Sequence, residues 1–307
     1  KTLAVLMVDF SCALKLAIPI AVISAMRECS LHGITVKGGH YLETVAKADT
    51  IVFDKTGTLT YATPRVAGIV TFGGHAESEM LRLAACLEEH YPHSIANAVV
   101  AEATARGLGH EERHAEVQYV VAHGIASAVD NERVCIGSAH FIFEDEACRV
   151  PAGEEDKLAS LHGEYSYLYL AIGGELAAVL CIDDPIKAGA RNAIRALHDC
   201  GIGRIVMMTG DNEKTAARVA AAVGVDDFRA EVLPEDKANF VRAEREAGRT
   251  VIMVGDGVND TPALSEANVG IAVSTGAAIA REVADVTVLS DDLDALVTLR
   301  RIAAALQ

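Results

Sequence analysis

Three short apolar runs stand out along the chain, residues 50–53, a run ending at Met208 and a run ending at Val254, and each gives way at once to polar residues. Continuous apolar runs of this length predict strands buried on both faces of a parallel sheet, with polar loops at their carboxyl ends. Residues 188–200, 213–223 and 234–246 carry helical patterns instead, the last opening with acids and closing near Gly248. The alternation predicts an α/β fold around an open, doubly wound parallel sheet, which binds ligands beyond the carboxyl ends of its strands. Between residues 60 and 184 the rhythm changes. A helix over about 77–106 and strand-like runs around Val117, Val134 and Leu168 predict an inserted α+β domain, joined to the first near Pro64 and Pro185.

Residues 2–26 are largely apolar, long enough to cross a bilayer core of about 30 Å, and Arg27, His32 and Lys37 come directly after them. A transmembrane helix is expected there, with the remainder of the chain on the cytoplasmic side. The expected partition is a membrane helix over 1–26, a first domain in two parts over 27–66 and 183–290, the insert over 67–182, and the start of a membrane-proximal helix over 291–307.

Composition narrows the partners. The 307 residues are 51% hydrophobic, ample for a core, and 43 acids against 27 lysines and arginines give a net charge of -16. Such a surface repels phosphate backbones, so no nucleic-acid partner is expected. Seven cysteines without a CxxC pair suggest neither a disulfide framework nor a closed zinc site.

The polar loops after the three apolar runs carry the chemistry. Asp54-Lys55-Thr56-Gly57-Thr58-Leu59-Thr60 places a carboxylate at a strand end, before a glycine turn whose N–H groups can cup a phosphate. Thr209-Gly210-Asp211-Asn212 offers a hydroxyl and a second turn, Lys237 a positive charge, and Gly255-Asp256-Gly257-Val258-Asn259-Asp260 two carboxylates for magnesium. A nucleophile, a metal site and a cation are what phosphoryl transfer needs.

DKTGTLT, TGDN, Pro-Glu-Asp-Lys and GDGVNDTPAL in this order resemble the P-type ATPases of the haloacid-dehalogenase superfamily, and the short insert resembles that of their heavy-metal, CPx-type subgroup. The resemblance implies that ATP phosphorylates Asp54, that magnesium is held by Asp54, the Thr56 carbonyl and Asp256, and that Thr209, Gly210 and Lys237 hold the phosphoryl oxygens. Asn259 and Asp260 would order the metal and phosphate shell, with Asp184-Pro185 as hinge. Soluble phosphatases of the superfamily, the alternative reading, usually carry an aspartate two residues after the nucleophile as general acid and base; Thr56 stands there. The aspartyl-phosphate should therefore be long-lived unless an actuator domain with a Thr-Gly-Glu loop, absent from this sequence, supplies the base.

In the insert the resemblance places an adenine site at Glu88, His93, Gly124 and Gly137, departing from the subgroup pattern at Ser94, Ala122 and Ser138. In the apolar N-terminus, Asp9 and Cys12 are spaced to share a helix face ahead of Pro19, and Phe10-Ser11-Cys12 stands where the subgroup carries Cys-Pro-Cys. One thiol and one carboxylate suit a divalent ion such as zinc, manganese, iron or cobalt better than copper(I). The implied partners are ATP, the metal ion, membrane lipid, further membrane helices and an actuator domain, at a plasma or inner membrane with the catalytic domains in the cytoplasm.

Overall fold

A computed structural model describes residues 2–89, 94–109, 118–120, 124–129, 132–161, 165–256, 260–273, 282–290 and 292–306, with backbone alone for residues 2–15 and 118–120. The chain divides into two compact units, residues 1–61 with 186–307, and residues 62–185.

Along the chain run α1 (Thr2–Leu31), β1 (Ile34–Val36), α2 (Gly39–Lys47) and β2 (Thr50–Asp54) of the first unit. The second unit comes next with β3 (Arg65–Thr71), α3 (Glu77–Glu88), α4 (Ser94–Ala105), β4 (Gln118–Val120), β5 (Gly124–Val129), β6 (Glu132–Gly137), α5 (Glu155–Ala159), β7 (Ser166–Ile172) and β8 (Glu175–Asp183). The first unit then resumes with α6 (Ala190–Asp199), β9 (Arg204–Met208), α7 (Glu213–Val223), β10 (Asp227–Arg229), α8 (Pro234–Glu246), β11 (Val251–Gly255), α9 (Thr261–Glu266), β12 (Val269–Val273), β13 (Val286–Val288) and α10 (Asp294–Ala304).

The first unit is the doubly wound sheet that the three apolar runs predicted. Its strand order is β1-β13-β12-β11-β2-β9-β10, parallel throughout except for β1 against β13. Alternation along β2 explains the two layers: Ile51 and Phe53 pack with α2, α6, α7 and α10, whereas Val52 packs on the other face with Val241 of α8 and Leu264 of α9. All five residues of β2 are buried, as a central parallel strand requires. Because β11, β2 and β9 are neighbours, and Asp54 lies opposite Met208, the three polar loops emerge side by side.

The second unit is a six-stranded antiparallel sheet, β3-β8-β7-β6-β5-β4. Met80, Leu81 and Leu87 of α3 and Val99 of α4 pack on Val134, Ile136, Leu170 and Leu180. The single helix expected over 77–106 is instead two, α3 ending at Glu88 and α4 running over Ser94–Ala105.

Helix α1 is continuous through Pro19, and Ala25 and Cys29 near its end join the core of the first unit. Among the described residues no helix is long and apolar enough to cross a membrane; the side chains of Asp9, Cys12 and the rest of the expected span up to residue 15 lie outside them.

Candidate active site

Asp54 closes β2, and the chain then turns through Lys55–Leu59, where Gly57 takes φ 72. A Cβ on Gly57 would stand 3.1 Å from Cβ of Asp256, tighter than an ordinary contact, in a conformation that favours glycine, so the DKTGT turn lies close against the loop after β11 at a position suited to glycine. At Gly255 the reason is closer still, since a Cβ there would lie 2.3 Å from Oδ2 of Asp260.

Lys237 joins the two loops. Pro234 opens α8, the Asp236 carboxylate accepts from Leu233 N at 3.2 Å, and this start places Lys237 in the first turn, facing the sheet. Its Nζ donates to Oδ1 of Asp54 at 2.6 Å and to Oδ1 of Asp260 at 2.8 Å, and all three side chains are buried. Burial works against the lysine's charge, but Asp54 and Asp260 outweigh it and hold its pKa above the ordinary value. Burial, and next the charge of Asp260, push Asp54 up to about 7 despite Lys237, with Asp256 adding to the rise.

Thr209, buried at the end of β9, accepts from Asp211 N at 3.1 Å through Oγ1, and Gly210 is the next residue. Asn212 caps α7 by accepting from Thr215 N at 2.9 Å. Two residues in these loops that sequence reasoning left without a role form a pair: Nζ of Lys55 lies 2.5 Å from Oδ2 of Asp211 and ties the first loop to the second. Their motifs signalled them, but nothing in their spacing signalled the partnership. The Thr56 side chain is exposed, and Asn259 lies outside the described residues.

The donor set fits magnesium. Asp54, Asp256, Asp260 and Asp211 outnumber Lys55 and Lys237 here, and Oδ2 of buried Asp260 has no hydrogen-bond partner among the described residues. No three His, Cys, Asp or Glu side chains among the described residues form a ready-made cage. Magnesium needs none, because it is usually held by one or two carboxylates together with substrate phosphates and water.

In the second unit Glu88 ends α3 and is buried, and that burial pushes its pKa up to about 7. Gly124 and Gly137 lie directly opposite each other across β5 and β6. Packing alone requires the first glycine, because a Cβ on Gly124 would lie 2.3 Å from the Phe141 ring and 2.5 Å from Ile136 O. His93 lies outside the described residues.

Residues 48–268 match the family model described as haloacid dehalogenase-like hydrolase, and residues 242–299 match a second model of the same description. A copper-transporting P-type ATPase of Rhizobium leguminosarum bv. viciae is 38% identical over 98% of this chain and 36% of its own length. A probable copper-exporting P-type ATPase V of Mycobacterium tuberculosis is 38% identical over 96% of this chain and 38% of its own. The chain therefore spans little more than a third of these relatives. Among solved structures, a zinc-transporting PIB-type ATPase in the E2.Pi state superposes with a TM-score of 0.76 at 33% identity, over 96% of this chain and 47% of the other. The catalytic domain of a CPx-ATPase superposes with a TM-score of 0.72 at 26% identity, over 90% of this chain and 98% of the other.

Proposed function

Since this chain belongs to the haloacid dehalogenase-like hydrolases, and among them to the P-type ATPases, we propose that it catalyses the ATP-driven step of heavy-metal cation transport, with Asp54 as phosphoryl acceptor. The observation that carries this reading is the buried Lys237 ammonium bridging Asp54 and Asp260 at the ends of adjacent strands. A carboxylate oxygen of Asp54 attacks the γ-phosphorus of ATP, and the bond from that phosphorus to the ADP oxygen breaks. Lys237, Thr209 and the backbone of Gly210 hold the transferring oxygens, where positive charge and aimed donors matter most. Asp54, the Thr56 carbonyl, Asp256 and Asp260 would hold magnesium, with Asn259 ordering the shell; the ion, when bound, neutralises phosphate charge and favours the ionised form of Asp54. Thr56 offers no carboxylate for proton transfer, which favours a persistent phosphoenzyme over the soluble phosphatase alternative.

Glu88, His93, Gly124 and Gly137 would form the adenine site of the insert. Asp9 and Cys12 would line the ion path through a membrane helix at the N-terminus, with the catalytic units in the cytoplasm. The mixed thiol and carboxylate set suits a divalent ion. Zinc is among the ions it suits and is also the ion named for the similar PIB-type structure, whereas the curated relatives are named for copper.

The test is to incubate the chain with γ-labelled ATP and magnesium and quench in acid. A label that survives acid, leaves in hydroxylamine and is missing from Asp54→Asn is expected. Label retained in Asp54→Asn refutes the assignment.

A further inference from the structure

The chain leaves the first unit at Tyr61 and re-enters it at Ile186, and the two ends are stitched by an antiparallel bridge between Thr60 and Ile186 and by Lys187 N donating to Leu59 O at 2.9 Å. Lys187 is next in line, and it is buried: the residue is 5% exposed. A lysine is kept from water only where its ammonium has oxygen partners, since burying it otherwise costs several kcal/mol. One such partner is the carbonyl of Gly57, to which Nζ donates at 3.2 Å across 130 residues of sequence.

That carbonyl belongs to the turn after Asp54, and Gly57 is the residue whose φ 72 lets the turn close against Asp256. A glycine in this region sits in a broad conformational well, so its peptide can rotate unless something outside the turn holds it. The Gly57–Thr58 peptide is trans, so its C=O and N–H point to opposite sides. With the oxygen drawn to Lys187, the Thr58 N–H is turned the other way. We propose that Lys187 is a positioning residue for phosphoryl transfer, whose buried ammonium holds the Gly57 carbonyl and so orients the Thr58 N–H as a donor to the phosphoryl group on Asp54. The proposal rests on Asp54 being the acceptor.

The experiment measures single-turnover phosphorylation of the full chain by γ-labelled ATP and magnesium, in wild type, Lys187→Met and Lys187→Arg, with calorimetric melting of each. Losing an aligned donor to a charged group should slow the rate at saturating ATP about 10- to 100-fold in Lys187→Met. The ATP concentration giving half the maximal rate should change less than about twofold, because the donor acts on the transferring group. Lys187→Arg, which can still donate to a carbonyl, should recover most of the rate. A purely structural lysine would lower the melting temperature and the fraction of chains labelled, yet leave the rate per labelled chain unchanged. Should Lys187→Met melt too low to assay, Lys187→Leu, which is apolar and has no donor, carries the same expected slowing. A wild-type rate in Lys187→Met or Lys187→Leu overturns the proposal alone, whereas absence of acid-stable label from the wild type overturns the acceptor reading and this proposal with it.

Discussion

Replacing Asp54 by asparagine should stabilise the first unit, and the gain should depend on pH in a defined way. In the fold, burial and the neighbouring Asp260 raise the Asp54 carboxyl from 3.8 to about 7, even with Lys237 2.6 Å away. Between about pH 4 and 7 the folded chain therefore keeps a proton that the unfolded chain has released, and stability falls as pH rises through that window. Each tenfold loss of acidity corresponds to about 1.4 kcal/mol, so above pH 7 ionised Asp54 costs roughly 4 kcal/mol of folding free energy. Asparagine resembles the protonated acid in shape and carries no charge. Asp54→Asn should then be more stable than wild type by about 2–4 kcal/mol at pH 8, or on the order of 10 °C in melting temperature for a unit of this size. The difference should shrink below pH 7 and vanish near pH 4. Differential scanning calorimetry suits the assay, since two compact units can melt in separate transitions. Magnesium provides a second arm: it should raise the wild-type transition more than that of Asp54→Asn, because a cation relieves the charge that the substitution removes. Equal or lower stability of Asp54→Asn at pH 8 without magnesium, or a gap that widens toward acid, would refute the reasoning.

Gly124→Ala should destabilise the second unit by about 1–3 kcal/mol and so lower its melting transition, because its new methyl would overlap Phe141 and Ile136 O; an unchanged transition would mean that Phe141 yields freely. On the proposed transport reading, Cys12→Ala and Asp9→Ala in the full-length protein should each abolish ion-stimulated ATPase activity and spare phosphorylation of Asp54 by inorganic phosphate. Undiminished ion stimulation in Cys12→Ala would make the thiol a packing group.

The sequence by itself determined the fold class and the family. The run at residues 50–53 and its two counterparts are apolar on both faces, and that signal is contained in a few consecutive residues, so a buried parallel strand is legible without knowing its neighbours. The order of DKTGTLT, TGDN and GDGVND was legible for the same reason, each motif being local. The break between α3 and α4 was local too, but the helical periodicity on either side of Pro92 outweighed it in a window spanning 77–106. Tertiary structure decided which strands became neighbours. Only the order β11-β2-β9 sets the three loops side by side, and that order depends on crossover connections rather than on any property of the strands. It brings Lys237 to Asp54 across 183 residues and Lys55 to Asp211, while the bridge from Thr60 to Ile186 brings Lys187 to the Gly57 carbonyl across 130. The raised pKa of Asp54 belongs to the same level, because it arises from burial and from Asp260, both of which exist only once the sheet has closed over the strand end. Composition and spacing carry short-range preferences, whereas a buried charge takes its energy from whichever groups the completed fold packs around it.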